Sequence, residues 1–159
     1  MAVKAGKEII AALNEVLEAE LTAINQYLLH AKMLQDWGYN RLAAKLHHES
    51  IDEMKHADAL IERILYLNGV PNVQKLGRIR IGQTVPEMLA SDRALEEAAI
   101  PRLNQHIQLC RDQADNGTRA LLEGILVSEE EHLDWIETQE SLINQLGLSA
   151  YLAEQLGEG

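Results

Sequence analysis

The sequence predicts an all-α fold: a four-helix bundle with one long crossover and a short fifth helix. Three observations carry this. The chain of 159 residues is 47% hydrophobic with no Phe and only three Pro, so its core is built from Leu, Ile, Ala and Met, and strands have little support. Apolar residues recur at helical spacing over four long stretches. Residues 70–86 break that pattern and contain Gly77, Gly82 and Pro86. The length suits one domain, residues 1–159, with a sizeable core.

The first helix is expected over about 4–37. Its apolar residues are Ile9, Ile10, Leu13, Val16, Leu17, Leu21, Ile24, Leu28 and Ala31, and Gly38 ends it. The second is expected over about 40–68, with Asn40 as N-cap and Asn68-Gly69-Val70-Pro71 as its stop. The stretch after it is long for a link between antiparallel neighbours, so it reads as a crossover along the bundle. Segments joined this way lie parallel. The third helix, about 87–114, starts near Pro86 or Glu87 and contains Pro101, where a kink is expected. Asp115-Asn116-Gly117-Thr118 is a short turn, and the fourth helix follows over about 118–145 until Gly147. Leu148, Leu152 and Leu156 give a fifth helix, about 148–156, one apolar stripe. A lone subunit would leave that stripe exposed.

The bulk properties exclude several functions. A net charge of −11 argues against a nucleic-acid partner and suits metal cations. No segment reads as a membrane span or a signal peptide. Cys110 is the only cysteine, so no intrachain disulfide forms. A cytoplasmic location fits these features.

The second helix carries the densest chemistry, from His48 to Asp58. Glu53 and His56 stand three residues apart and share one helix face. Glu129 and His132 repeat the spacing 76 residues later, and the same offset relates Glu20 to Glu96, His30 to His106 and Asp36 to Asp112. The two halves read as diverged copies of one helical hairpin. A single Glu-x-x-His is usually a solvated face. Two of them on alternate helices, with a Glu in register on each other helix, form a di-metal carboxylate pattern. Glu20 lies on the apolar stripe beside Leu17, Leu21 and Ile24, and Glu96 near Leu95, Ile100 and Leu103. Carboxylates on core faces require partners or cations. Four carboxylates against two divalent ions are neutral, and two imidazoles complete the shell. Such a donor set suits iron or manganese, with zinc as a competitor.

On these residues, with Ala23-Ile24-Asn25-Gln26-Tyr27 and His132-Leu133-Asp134-Trp135, the chain resembles the bacterioferritins, the haem-binding branch of the ferritin family. The resemblance covers essentially the whole chain. It implies a ferritin-like fold, a 24-subunit cage assembled from two-fold dimers, and storage of ferric mineral after oxidation of Fe(II) by dioxygen or peroxide. By resemblance Glu20 and His56 hold one iron, Glu96 and His132 the other, and Glu53 and Glu129 bridge them. Tyr27 would sit beside this centre, hydrogen-bonded to a carboxylate such as Glu96. Read alone, Met54 is a core or interface methionine; the resemblance makes it the axial ligand of a b-type haem shared by two subunits, one methionine from each. Electrons for iron release would come from a ferredoxin-type partner. A second subunit type is compatible with the cage.

His48 and Asp52 read alone as an exposed pair four residues apart. Some bacterioferritins use matching residues for an inner-surface iron site, but a further acid there is Ser128 here, which weakens that reading. His30, His47 and His106 read as surface or boundary histidines, and Trp37 and Trp135 as packing residues. In the family the tail helix lines a four-fold channel, which Ala150 and Ala153 would make more apolar here. Two rivals stand beside the ferroxidase reading. One is a di-iron or di-manganese redox enzyme of the rubrerythrin-like type acting on peroxide, which lacks support because no Cys-rich segment is present. The other is a non-catalytic bundle with structural acids.

Overall fold

The computed structural model describes residues 6–157. Five helices follow one another: α1 (Lys7–Asp36), α2 (Asn40–Tyr66), α3 (Val85–Asp112), α4 (Asn116–Leu146) and α5 (Leu148–Ala153). No strand occurs among the described residues. The expected start at Lys4 lies outside them. α1 packs along α2 and α3 along α4, and the two hairpins meet mainly through α1 and α3.

Contacts along α1 fix the topology. His30 bonds Asp92, Tyr27 bonds Glu96, and Glu15 faces His106, so α3 runs antiparallel to α1. The tight α1–α2 connection at residues 37–39 reverses the chain as well, which leaves α2 and α3 parallel, as a crossover demands.

The crossover is strapped to one face of α1 by a ladder of hydrogen bonds. Asn14 donates to the Val70 carbonyl (3.1 Å) and accepts from the Asn72 N–H (2.8 Å). Gly77 N–H donates to Thr22 Oγ1 (2.8 Å), Arg80 N–H to Gln26 Oε1 (3.0 Å) and Gly82 N–H to His30 Nε2 (3.0 Å). Asn14 to His30 spans about 24 Å of helix. Without strand or helix partners of its own, the crossover backbone satisfies its donors on α1 side chains. A Cβ on Gly82 would collide with the Met88 backbone nitrogen, so only glycine lets the chain turn into α3 so closely.

The core has two apolar clusters. One contains Leu13, Leu17, Leu60, Ile64, Leu103 and Leu122; the other contains Leu34, Leu46, Met88, Leu89, Ile136 and Tyr151. Between them, on all four long helices, lies a belt of buried polar residues that includes Glu20, Glu53, Asp92, Glu96, Glu129 and His132.

Several details depart from the sequence reading. Asn40 is the first helical residue of α2, flanked by Tyr39, and no side chain caps that end. α3 starts at Val85 with Thr84 as N-cap, whose Oγ1 accepts the Glu87 N–H (3.3 Å). Asp115 caps α4 through the Thr118 N–H (3.1 Å). α3 continues as one helix through Pro101. After α2 it is Asn68, not Gly69, that takes the left-handed conformation (φ 64°). Gly69 is small for another reason: a Cβ there would stand 2.8 Å from Ile10 Cγ2. Leu28 is 38% exposed and so leaves the core stripe. α5 ends at Ala153, and its anchor is Tyr151, buried with its hydroxyl donating to Gln139 Oε1 (2.7 Å).

His30 and His106 are buried rather than at the surface. The reason for His30 is the crossover. Its Nε2 accepts from Gly82, which puts the ring proton on Nδ1, facing Asp92 Oδ1 at 2.9 Å. Gln26 Nε2 donates to the same Asp92 oxygen (2.7 Å). A His30→Ala variant therefore leaves the Gly82 donor and the Asp92 carboxylate short of partners. It should lose about 1–3 kcal/mol of stability, read as a lower melting temperature. An unchanged melting temperature would show that the strap contributes nothing.

Candidate metal centre

The polar belt is densest where all four long helices face inward. Helical spacing places Glu53 and His56 on one face of α2, and Glu129 and His132 on one face of α4. Glu20 comes from α1 and Glu96 from α3. All six converge. Five of them are buried, with His56 partly so.

His56 Nδ1 lies 3.4 Å from Glu20 Oε2, 3.5 Å from Glu53 Oε2 and 3.5 Å from Glu129 Oε1. These four donor atoms lie within 4.8 Å of one another. Metal–ligand bonds of about 2.0–2.2 Å would let one ion bridge such a set. Glu20 Oε2, His56 Nδ1, Glu96 Oε2, Glu129 Oε1 and His132 Nε2 are all buried without a hydrogen-bond partner. Orphaned buried acceptors on four helices are costly in an apolar bundle. The mixture of hard carboxylates and imidazole fits iron, manganese or zinc.

The second half of the belt is arranged differently. His132 Nδ1 lies 3.2 Å from Glu96 Oε1 and 3.8 Å from Glu49 Oε2. Tyr27 donates its hydroxyl to the same Glu96 oxygen, which leaves Glu96 Oε2 free. Glu49, Glu53 and His132 form a second group with donor atoms close enough for one ion. Glu49 escaped the sequence reading, although it stands one turn before Glu53 on the same face. Its other oxygen pairs with Lys45 Nζ at 2.8 Å, and Lys45 also lies over the Trp135 ring. Trp135 stacks on His132, whose ring meets Tyr27 edge-on at 5.0 Å. Asp92, one turn before Glu96, was also missed; it is a buried Asp on an otherwise unremarkable stretch of α3.

The remaining expected residues sit outside this centre. Met54 is 55% exposed on the outer face of α2, with exposed Ile51 one turn away. His48 and Asp52 form a surface pair, Nε2 to Oδ2 3.3 Å. Ser128 is partly buried. Trp37 is partly exposed, and it lines an open groove with Leu148 and Leu152.

Burial and crowding shift the belt's protonation. Burial raises the Glu96 carboxyl well above its ordinary value, helped by Glu129. Burial likewise raises Glu53. Glu129 is pushed up to about 7, by burial first and then by the charge of Glu53. For His56, burial opposes the charged form, but hydrogen bonds and charge from Glu129 and Glu53 outweigh it and lift the imidazole to about 10. Burial and the neighbouring carboxylates push the Tyr27 phenol well above its usual range. The metal-free belt thus holds protons where cations would otherwise stand.

This fixes a pH dependence. Both groups are raised in the fold. The Glu129 contribution to stability is complete below its ordinary value near 4.5 and is lost as pH rises through about 7. The His56 contribution is complete below about 6.5 and is lost as pH rises through about 10. Metal-free protein should therefore melt at progressively lower temperature from about pH 5 to 8, and Glu129→Gln should flatten that slope. With Zn(II) present the slope should reverse, because the ligands must be deprotonated. Parallel pH profiles for the wild type and Glu129→Gln would contradict this account.

The comparisons with known proteins agree with this architecture. The ferritin-like domain family matches residues 10–146. A bacterioferritin of Mycobacterium leprae is 47% identical over 147 residues, covering 92% of each chain. One of Streptomyces coelicolor is 49% identical over 146 residues, covering 92% of this chain and 87% of its own. A bacterial ferritin of Synechocystis sp. is 42% identical over 149 residues, 93% of this chain and 96% of its own. With a four-helix bundle, a long crossover from α2 to α3 and a buried Glu/His belt in place, the chain belongs to the ferritin-like family, among the bacterioferritins.

Proposed function

We propose that this protein oxidises Fe(II) at the four-helix centre and stores the ferric product inside a 24-subunit cage. The observation that carries the reading is the convergence of three carboxylates on His56 Nδ1 at 3.4–3.5 Å, with the buried oxygens of Glu20 and Glu129 that face it unpartnered. Fe(II) is the substrate. Glu20 and His56 hold one ion, Glu96 and His132 the second, and Glu53 and Glu129 lie between them. Each Fe(II) gives one electron, and two electrons with two protons reduce dioxygen to hydrogen peroxide. Proximity makes the paired transfer efficient. Glu129 and His56, which hold protons in the metal-free belt, give them up as iron binds.

Tyr27 is a positioning residue: its hydroxyl bond to Glu96 fixes that ligand from outside. Met54 supports the haem reading. Its thioether is exposed on the outer face of α2, with exposed Ile51 one turn away, a surface on which the flat face of a haem would be covered by a second copy of the chain. A methionine thioether from each subunit would hold the haem and favour its ferrous state. The haem would relay electrons from a ferredoxin-type donor for iron release, in the cytoplasm. No described helix is long and apolar enough to cross a membrane.

Purified metal-free protein given Fe(II) and air should show a fast phase that ends near two Fe(II) oxidised per subunit, with about one dioxygen consumed per two Fe(II). The absence of a fast phase would refute the ferroxidase reading. Tyr27→Phe should slow that phase by about 10–100-fold while leaving the fold intact. Met54→Leu should remove the haem absorption band from protein expressed with haem. A band that survives in position and intensity would show that another side chain holds the haem.

A further inference from the structure

His106 is the counterpart of His30 under the 76-residue offset, yet its surroundings are different. His30 has two hydrogen-bond partners. His106 is nine-tenths buried, and its Nε2 is shielded from solvent with no hydrogen-bond partner. What it faces is Glu15 Oε1 on α1, at 3.5 Å. That separation is too long for a hydrogen bond but spans the two arms of a metal coordination shell.

Two cavities meet at this pair. The outer one is an open groove between α1 and α3, lined by Glu8, Glu15, His106 and Asp112 among alanine, glutamine and leucine side chains, with no Lys or Arg. The inner one runs past Glu15 and His106 to Glu20, a residue of the metal centre. Antiparallel register puts Glu8 near Asp112 at the outer end, two turns from Glu15 on α1. The acidic rungs therefore lead inward in one line: Glu8 and Asp112, then Glu15 and His106, then Glu20. Arg102 also lines the inner cavity, and its Nε is engaged by the Ala98 carbonyl (3.2 Å). It opposes a cation there, against the carboxylates of Glu15 and Glu20.

We propose that His106 and Glu15 form a second, weaker divalent-cation site on the α1–α3 seam, and that cations pass through it toward the four-helix centre. One imidazole and one carboxylate, completed by water, suit Fe(II), Mn(II) or Zn(II) rather than Ca(II) or Mg(II). Two protein ligands hold an ion loosely enough to release it inward. This goes beyond the ferroxidase reading, since a seam site binds cations whether or not the centre oxidises them.

Crystals of the full chain soaked in Zn(II) and measured across the zinc edge test the site directly. Anomalous density is expected within about 2.3 Å of His106 Nε2, and it should vanish in both His106→Gln and Glu15→Gln while density at the four-helix centre remains. Density at the centre with none at His106 overturns the site, and density at neither overturns both readings. The transit role is tested by initial Fe(II) oxidation rates in the same variants. Each should raise the Fe(II) KM several-fold with kcat unchanged; an unchanged KM would overturn transit along the seam.

Discussion

The structure depends on one constraint: four glutamates from four helices cannot share a dry interior as anions. Three of them, Glu20, Glu53 and Glu129, crowd the single His56 nitrogen, and Glu96 is pressed against Glu129. Without cations the belt answers with protons, raising its carboxyls and charging its histidine. A mutually repelling arrangement persists because the rest of the bundle holds it. Apolar clusters grip each helix on both sides of the belt, so no helix can rotate its acid into water without losing its core contacts.

Other parts of the fold serve the same end. The crossover, lacking regular structure, is strapped to α1 through Asn14, Thr22, Gln26 and His30. The last two also engage Asp92, which ties α1 to α3 one turn from Glu96. Tyr27, between Gln26 and His30 on the same helix, then reaches Glu96 itself. Crossover, α1 and α3 are thereby locked together beside the centre. On the far side, Lys45 neutralises Glu49 and lies over Trp135, whose ring stacks on His132. Aromatic and charged neighbours thus brace the belt from outside, beside the direct contacts between its ligands.

Much of this was legible in the sequence because two rules were strong. Helical periodicity gave the four long helices, and the 76-residue echo of Glu-x-x-His set the six inward residues. What escaped has physical reasons. Glu49 looked like one acid among many in an acidic run, yet it is buried, facing His132 of α4. His30 and Asp92 lie on helices where a polar residue usually faces water; the partners of His30 come from the crossover and α3, and those of Asp92 from α1, more than fifty residues away. The start of α2 shifted by one residue, from Asn40 to Tyr39 as the flanking position, because no side-chain cap fixes that end and helix ends are the least sharply specified part of the pattern. The tail's leucine stripe is exposed at Leu148 and Leu156, as expected for a lone subunit; the residue that docks the tail is Tyr151, through a hydroxyl that periodicity does not weigh.

The central claim is that the belt is built to exchange protons for two divalent cations. Anaerobic titration of metal-free protein with Fe(II) in weakly buffered solution, with the released protons counted, addresses it most directly. The account predicts proton release that rises with each addition and breaks sharply near two Fe(II) per subunit, smaller in Glu129→Gln. Release without a break, or binding with no protons released, would contradict it.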